Sequence, residues 1–349
     1  MTSLAVESKP AVLDRLAHVS DVHGAPHLRD RLASLARFVA ADLGAFEQEL
    51  AAIPRGARVV HQAAHHLLDL RGKHLRPLCV ALASRFGEGF TPRARGLAVA
   101  VELVHSATLL HDDVVDVAER RRGEPTASVV YGNAASIFAG DWLLVTALRR
   151  IAATGVDGML DRMLTVIDEM IVAESVQLER RRKVTGARED YFAIIEGKTA
   201  ALFRWAMVAG ARVAGLGPDA EVALERFGLH LGVAFQAVDD ELDFADSGTG
   251  KDALADLREG KVTFPMVVAL ERDPALRGRL EAMIAQEAIA PSELSAVAAA
   301  IRATGALVAT RQLAEDHVRR AVATLEALPA GTARDALETV ALASLERQS

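Results

Sequence analysis

Six aspartates repeat one spacing. Asp112, Asp113 and Asp116 lie in LLHDDVVD, and Asp239, Asp240 and Asp243 lie in FQAVDDELDF, each set at i, i+1 and i+4. Residues four apart share a helix face, so Asp112 with Asp116, and Asp239 with Asp243, would aim two carboxylates at one point. Like charges so placed destabilise a bare helix unless a cation or a proton neutralises them. Such oxygens suit Mg²⁺, which commonly takes one or two carboxylates together with substrate phosphate and water. One motif alone reads equally well as a solvated helix end. Two, far apart in the chain, point to facing walls of one cavity with metal ions and a polyphosphate between them.

Cationic residues stand where a diphosphate would need them. Lys73 and Arg76 in GKHLRP are three apart at an expected helix start, and Arg121 and Arg122 follow the first motif beside Gly123. Lys198 with Thr199, Lys251 and Lys261 add further phosphate donors. The run Arg180 to Lys183 reads as a solvated helix end. His105, on an apolar helix, reads on spacing alone as a core residue, and His111 as packing or support behind Asp112.

These side chains must be carried by helices. From Leu32 onward apolar residues recur every three or four positions, with breaks at Gly87–Pro92, Gly123–Pro125, Gly155–Gly158, Gly215–Pro218, Gly248–Gly250 and Pro274. Strand-like alternation is scarce, so the fold class is all-α. The stretches Leu97 to Leu110 and Ala134 to Leu148 are apolar nearly all round, which marks central helices. Met1 to about Leu28 lacks sustained periodicity and reads as an N-terminal extension (1–28), leaving 29–349 as a single helical domain. The segment from Pro291 onward is Ala-rich and expected to serve packing.

Composition sets the outer bounds. A chain of 349 residues, 51% hydrophobic and 25% charged, can bury a full core without disulfides. A net charge of −7 and a pI near 5.9 offer no general attraction to nucleic acid. The lone Cys79 permits neither an internal disulfide nor a zinc site, which suggests a reducing cytoplasm. No targeting signal is evident, and no uncharged run reaches the roughly 18–20 apolar residues of a membrane span, so a soluble protein is expected.

Taken together, the chain resembles the trans-polyprenyl diphosphate synthases, the head-to-tail isoprenoid chain elongases, from about Leu32 to the C-terminus. The resemblance rests on GKHLRP, VELVHSATLLHDDVVD, Arg121-Arg122-Gly123, Gly140-Asp141, Lys198-Thr199, Phe235-Gln236 with DDELD, and the stretch Asp256 to Pro265, all in family order. It implies the isoprenoid synthase fold, antiparallel helices around a deep central cavity with the two aspartate motifs near its mouth, usually as a homodimer. It also implies a cluster of Mg²⁺ ions, about three, on an allylic diphosphate. Asp112, Asp116 and Asp239 would be the main carboxylates, with Asp113, Asp240 and Asp243 as direct or water-mediated partners. Lys73, Arg76, His105 and Arg122 would hold isopentenyl diphosphate; Arg121, Lys198, Thr199, Gln236, Lys251 and Lys261 would surround the allylic diphosphate. Arg71, His74 and Ala173 depart from the usual family pattern, where Gly, Arg and Gly are common.

Product length is expected to follow from cavity depth. Thr108 and Ala107, four and five residues before Asp112, are small where short-chain members commonly place an aromatic floor. The floor is then assigned to Ile151 and Met163 on neighbouring helices, and the expected product is a long-chain all-trans polyprenyl diphosphate. A short-chain geranylgeranyl or farnesyl diphosphate synthase is the alternative. A non-catalytic partner subunit would usually lose aspartates from one motif, and a class I terpene cyclase would lack DDELD with Lys73 and Arg76.

Overall fold

The computed structural model describes residues 26–346 apart from 71, 185, 245–253, 262 and 287–288. Arg71, Lys251, the break at Gly248–Gly250 and residues 1–25 of the expected extension lie outside the described residues. The first helix, α1, covers Pro26–Ala51, so the end of that extension is already helical.

Helices α2 (Val59–Leu68), α3 (Leu75–Ser84) and α4 (Pro92–Val115) come next. A hairpin of β1 (Arg120–Arg121) and β2 (Glu124–Pro125) separates α4 from α5 (Ala127–Tyr131) and α6 (Asn133–Thr154). After these stand α7 (Met159–Arg180), α8 (Arg188–Ile195), a π-helical turn at Glu196–Ala200, α9 (Ala201–Val213) and α10 (Pro218–Asp243). The chain continues through α11 (Ala255–Glu259), α12 (Phe264–Arg272), α13 (Leu276–Ile284), α14 (Pro291–Ala303), α15 (Ala306–Thr324) and α16 (Thr332–Leu345). The class is all-α. Among the described residues the only sheet is that hairpin, at the Gly123–Pro125 break: Arg122 and Gly123 take φ of 54° and 86°, the pattern of a two-residue type I′ turn.

The helix ends obey local chemistry. Thr91 accepts a hydrogen bond from the Ala94 amide, with Pro92 in the first turn of α4. Thr126 accepts one from the Val129 amide at the start of α5. Gly155, at φ 63°, ends α6.

The described residues form two compact units, one drawn from within Met1–Met163, Ala206–Leu224 and Ala327–Thr339, the other from within Leu164–Trp205, Glu225–Glu326 and Val340–Ser349. In the first unit α4 and α6 run antiparallel. Ser136 donates to the Leu110 carbonyl at one end, and Gly96 abuts Thr154 at the other. The His111 imidazole lies over Gly140, 2.3 Å from where a Cβ would stand, and its Nε2 contacts the Ile137 carbonyl at 3.1 Å. The same Nε2 lies 3.3 Å from Asp141 Oδ1. Helix α4 is buried along most of its length, as its sequence suggests, but α6 is not: Phe138 is 62% exposed, and Ile137 and Val145 accompany it. The expectation of a central, all-round-buried helix fails there because the apolar face opposite α4 is uncovered within the unit.

The second unit is organised around a core that includes Tyr191, Phe244, Leu257, Phe264, Val267, Leu280, Met283 and Ile301. Among the described residues no single helix is long and apolar enough to cross a membrane. The helices after Pro291 supply core residues Leu294, Val297, Ile301 and Ala306, which accords with a packing role.

Candidate active site

In the first unit, α4 delivers its motif at its last turn. The Asp116 amide donates to the Asp112 carbonyl at 2.8 Å, so the helical ladder reaches the cap residue and holds the two on one face. The three carboxylates are not equivalent. Asp112 and Asp116 are half-buried, whereas Asp113 turns inward, is 1% exposed and accepts a hydrogen bond from Arg121 Nε at 2.6 Å. Burial raises the Asp113 pKa against the lowering effect of Arg121. The hairpin brings that arginine back, since a type I′ turn reverses the chain within a few residues of the motif.

The same unit gathers cations around His105. Its pKa is lowered well below the usual imidazole value by burial and then by Arg76, Arg122 and Arg121. A neutral imidazole among three guanidiniums is a setting for an anion. Arg122 Nη1 is steadied by the Leu70 carbonyl at 2.7 Å. Lys73 precedes α3, which begins at Leu75, and Arg76 stands in its first turn, so the pair flanks the helix start. Between them His74 adopts a left-handed backbone (φ 43°) and turns its ring toward Phe46 and Glu102, 5.1 Å and 3.8 Å away.

Ala107 and Ile151 are both buried in this unit, as is Met163; the Thr108 hydroxyl donates to the His105 carbonyl at 2.8 Å. With α4 and α6 antiparallel, Ile151 lies level with the stretch around Val99, about 12 Å beyond Ala107 at 1.5 Å per residue.

In the second unit, α10 ends on the other motif. Here too the middle residue turns inward. Asp240, 2% exposed, accepts hydrogen bonds from Tyr191 Oη at 2.8 Å and the Phe264 amide at 3.1 Å on Oδ2, and from Gln236 Nε2 at 3.0 Å on Oδ1. Asp243 Oδ1 accepts from the Ala255 amide at 3.0 Å. Burial first, and Asp256 second, push the pKa values of both Asp240 and Asp243 up to about 7.

Lys198 and Thr199 stand on the π-turn between α8 and α9. A π-turn inserts an extra residue per turn and re-aims the side chains beyond it, a device frequent at functional sites. It packs tightly against α7: a Cβ on Gly197 would fall 2.7 Å from the Ala173 methyl, so glycine is required there. Lys198 Nζ pairs with Glu174 at 2.5 Å, and the Thr199 hydroxyl donates to Gln236 Oε1 at 2.9 Å. Lys198, Thr199, Gln236, Asp240 and Lys261 line one cavity within this unit. Other residues of the lining were given no site role from the sequence, among them Gln177, Tyr191, Thr263 and Asp256, the last quoted only as the start of a family stretch. Arg180 and Arg181, which read as a solvated helix end, are at a helix end but also line the cavity.

The residues present fit a divalent cation. Asp243 Oδ2 is buried with no hydrogen-bond partner, and Asp256 adds negative charge to the same pocket. Among the described residues no three acidic, imidazole or thiol side chains form a closed metal cage. Mg²⁺ commonly takes one or two carboxylates completed by substrate phosphate and water.

Comparison with known proteins gives a consistent result. The family model described as polyprenyl synthetase matches residues 57–301. The octaprenyl diphosphate synthase of Escherichia coli (strain K12) is 33% identical over 293 residues, covering 83% of this chain and 90% of that protein. The short chain isoprenyl diphosphate synthase of Methanothermobacter thermautotrophicus is 37% identical over 296 residues, covering 82% and 90%. A crystal structure of a decaprenyl diphosphate synthase from Rhodobacter capsulatus matches with a TM-score of 0.84 at 32% identity, covering 90% of this chain and 98% of that one. A family match running from 57 to 301, together with relatives a third identical over more than four fifths of the sequence, means that the chain belongs to the polyprenyl synthetase family of chain-elongating prenyltransferases.

Proposed function

We propose that this enzyme condenses isopentenyl diphosphate repeatedly with an allylic diphosphate to make a long-chain all-trans polyprenyl diphosphate, with Mg²⁺ as cofactor. The observation that carries the reading is that each motif closes a helix with its middle aspartate turned inward onto protein donors, Arg121 for Asp113 and Tyr191, Gln236 and the Phe264 amide for Asp240, so that two like-spaced acidic helix ends are built the same way. Asp112 and Asp116 on one motif, with Asp239 and Asp243 on the other, would hold the Mg²⁺ ions. Bound Mg²⁺ supplies charge that stabilises the departing pyrophosphate. Arg121, Lys198, Lys251 and Lys261 contribute cations to the allylic diphosphate, with Thr199 and Gln236 beside it. Lys73, Arg76, His105 and Arg122 grip isopentenyl diphosphate; the allylic C–O bond ionises, pyrophosphate leaves with the electron pair, and the homoallylic double bond attacks the allylic cation. The pyrophosphate released then takes the proton lost from the new chain.

Length is assigned to depth. Small side chains at Ala107 and Thr108, and Ile151 about 12 Å farther along the helix pair, support a long product, with Met163 as a second floor residue. The family match draws on both compact units, which supports 29–349 as one functional domain. A homodimer is supported by the uncovered apolar face of α6. A cytoplasmic setting is supported by cysteine usage: the single Cys79 is a free thiol, with no second cysteine to form an internal disulfide.

The test is incubation of the purified chain with labelled isopentenyl diphosphate, Mg²⁺ and each allylic primer, followed by sizing of the products. Long-chain products that vanish in excess chelator support the reading. Turnover unaffected by chelator, or none without a second protein, overturns it.

A further inference from the structure

The hydroxyl of Tyr191 has no part in the proposed prenyl transfer, yet its placement is specific. The side chain is 3% exposed, with its ring 5.4 Å from Phe192 and 5.2 Å from Phe264. A phenylalanine would serve that packing equally well. The hydroxyl instead donates to Asp240 Oδ2 at 2.8 Å, sharing that oxygen with the Phe264 amide. Asp240 Oδ1 holds the Gln236 amide at 3.0 Å, and Gln236 Oε1 receives the Thr199 hydroxyl at 2.9 Å.

A continuous chain therefore runs from Tyr191 on α8 through Asp240 and Gln236 on α10 to Thr199 on the π-turn. A carboxylate with both oxygens engaged by buried donors has one rotamer. Asp240 so held ties the last turn of α10, which also presents Asp239 and Asp243, to α8 and to the start of α12. Orientation of binding groups by partners behind them commonly governs metal affinity as strongly as the ligands do.

Resting on the proposed prenyl-transfer function, we infer that Tyr191 is a positioning residue: its hydroxyl fixes Asp240, and through it the second aspartate motif and Thr199, in the arrangement that receives the diphosphate with its ions. The test is Tyr191→Phe in the full chain, which removes one oxygen and keeps the ring. The metal concentration for half-maximal turnover and the KM for the allylic diphosphate rise about tenfold. The KM for isopentenyl diphosphate, which uses residues of the other unit, stays within about twofold, as a local effect requires. Independently of turnover, Mn²⁺ titrated in the presence of inorganic pyrophosphate and monitored by paramagnetic resonance binds the variant more weakly. In an Asp240→Asn background, Tyr191→Phe adds little, because the two act as one unit.

Unchanged Mn²⁺ affinity and unchanged metal dependence in Tyr191→Phe overturn the inference. So does a uniform rise of every KM with a fall in thermal stability, which would mark a packing role. The Mn²⁺ comparison reads the inference even if the parent chain fails to elongate prenyl substrates, a failure that would instead sink the function.

Discussion

At the residue scale, identical letters acquire different work from their surroundings. Asp113 and Asp240 hold middle positions in their motifs and face inward to Arg121 and to Tyr191, Gln236 and the Phe264 amide. A different residue-scale feature is strain. Val117, one residue past the first motif, is 82% exposed and has φ of 52°, a region that a β-branched residue enters only at a cost. Since its side chain packs against little, Val117→Asn raises stability by about 1 kcal/mol, which calorimetry reads as a Tm increase of a few degrees. His317 gives a pH effect. Its Nδ1 lies 3.3 Å from that of His230, and burial, then His230, lower its pKa to about 4. Between pH 6.5 and about 4 the unfolded chain binds a proton that the folded chain refuses, so stability is full above that window and falls as pH drops through it. Compared with His317→Asn, the parent loses roughly 1–3 kcal/mol more between about pH 7 and pH 4, measured by denaturant unfolding.

At the element scale, the decisive pieces are helix ends and one irregular turn. Helices α4 and α10 both stop on their motifs, and the π-turn at Glu196–Ala200 places Lys198 against Glu174 and Thr199 against Gln236. Helical periodicity in the sequence finds α4 and α10, but a π-turn changes only one hydrogen-bond register and leaves the apolar pattern nearly intact. That is why the orientation of Thr199 toward Gln236 was not legible. The antiparallel pair α4 and α6 carries the length argument. Ala107→Tyr puts an aromatic where the pair is lined by a methyl group, and the product shortens to the short-chain range by chromatography. Overpacking costs about 1–3 kcal/mol there, so a melting curve accompanies the assay. An unchanged product length refutes depth control at this position.

At the scale of the whole molecule, apolar surface on α6 calls for a cover. Phe138 at 62% exposed, with Ile137 and Val145, is a face that a solvated helix rarely presents. A second copy of the chain is the occupant proposed. Phe138→Asp therefore gives a monomer in light scattering at concentrations where the parent is a dimer, and a parent that is itself monomeric removes the proposal. Association of this kind shifts stability with protein concentration, so the Tm of the parent rises on concentration while that of the variant does not.

Read without coordinates, the chain already carried its all-α class and the two aspartate motifs at helix ends, because helical periodicity and i, i+4 spacing are local properties that survive in one dimension. It also indicated the family through short motifs in fixed order. Packing in three dimensions was needed to show that Asp113 and Asp240 turn inward onto protein donors, that Lys73 precedes its helix, that Arg180 and Arg181 line a cavity, and that Tyr191 is tied to Asp240 across 49 residues of chain. Burial and hydrogen-bond partnership depend on which distant segments pack together, and a carboxylate's fate depends on the donors that packing brings within reach.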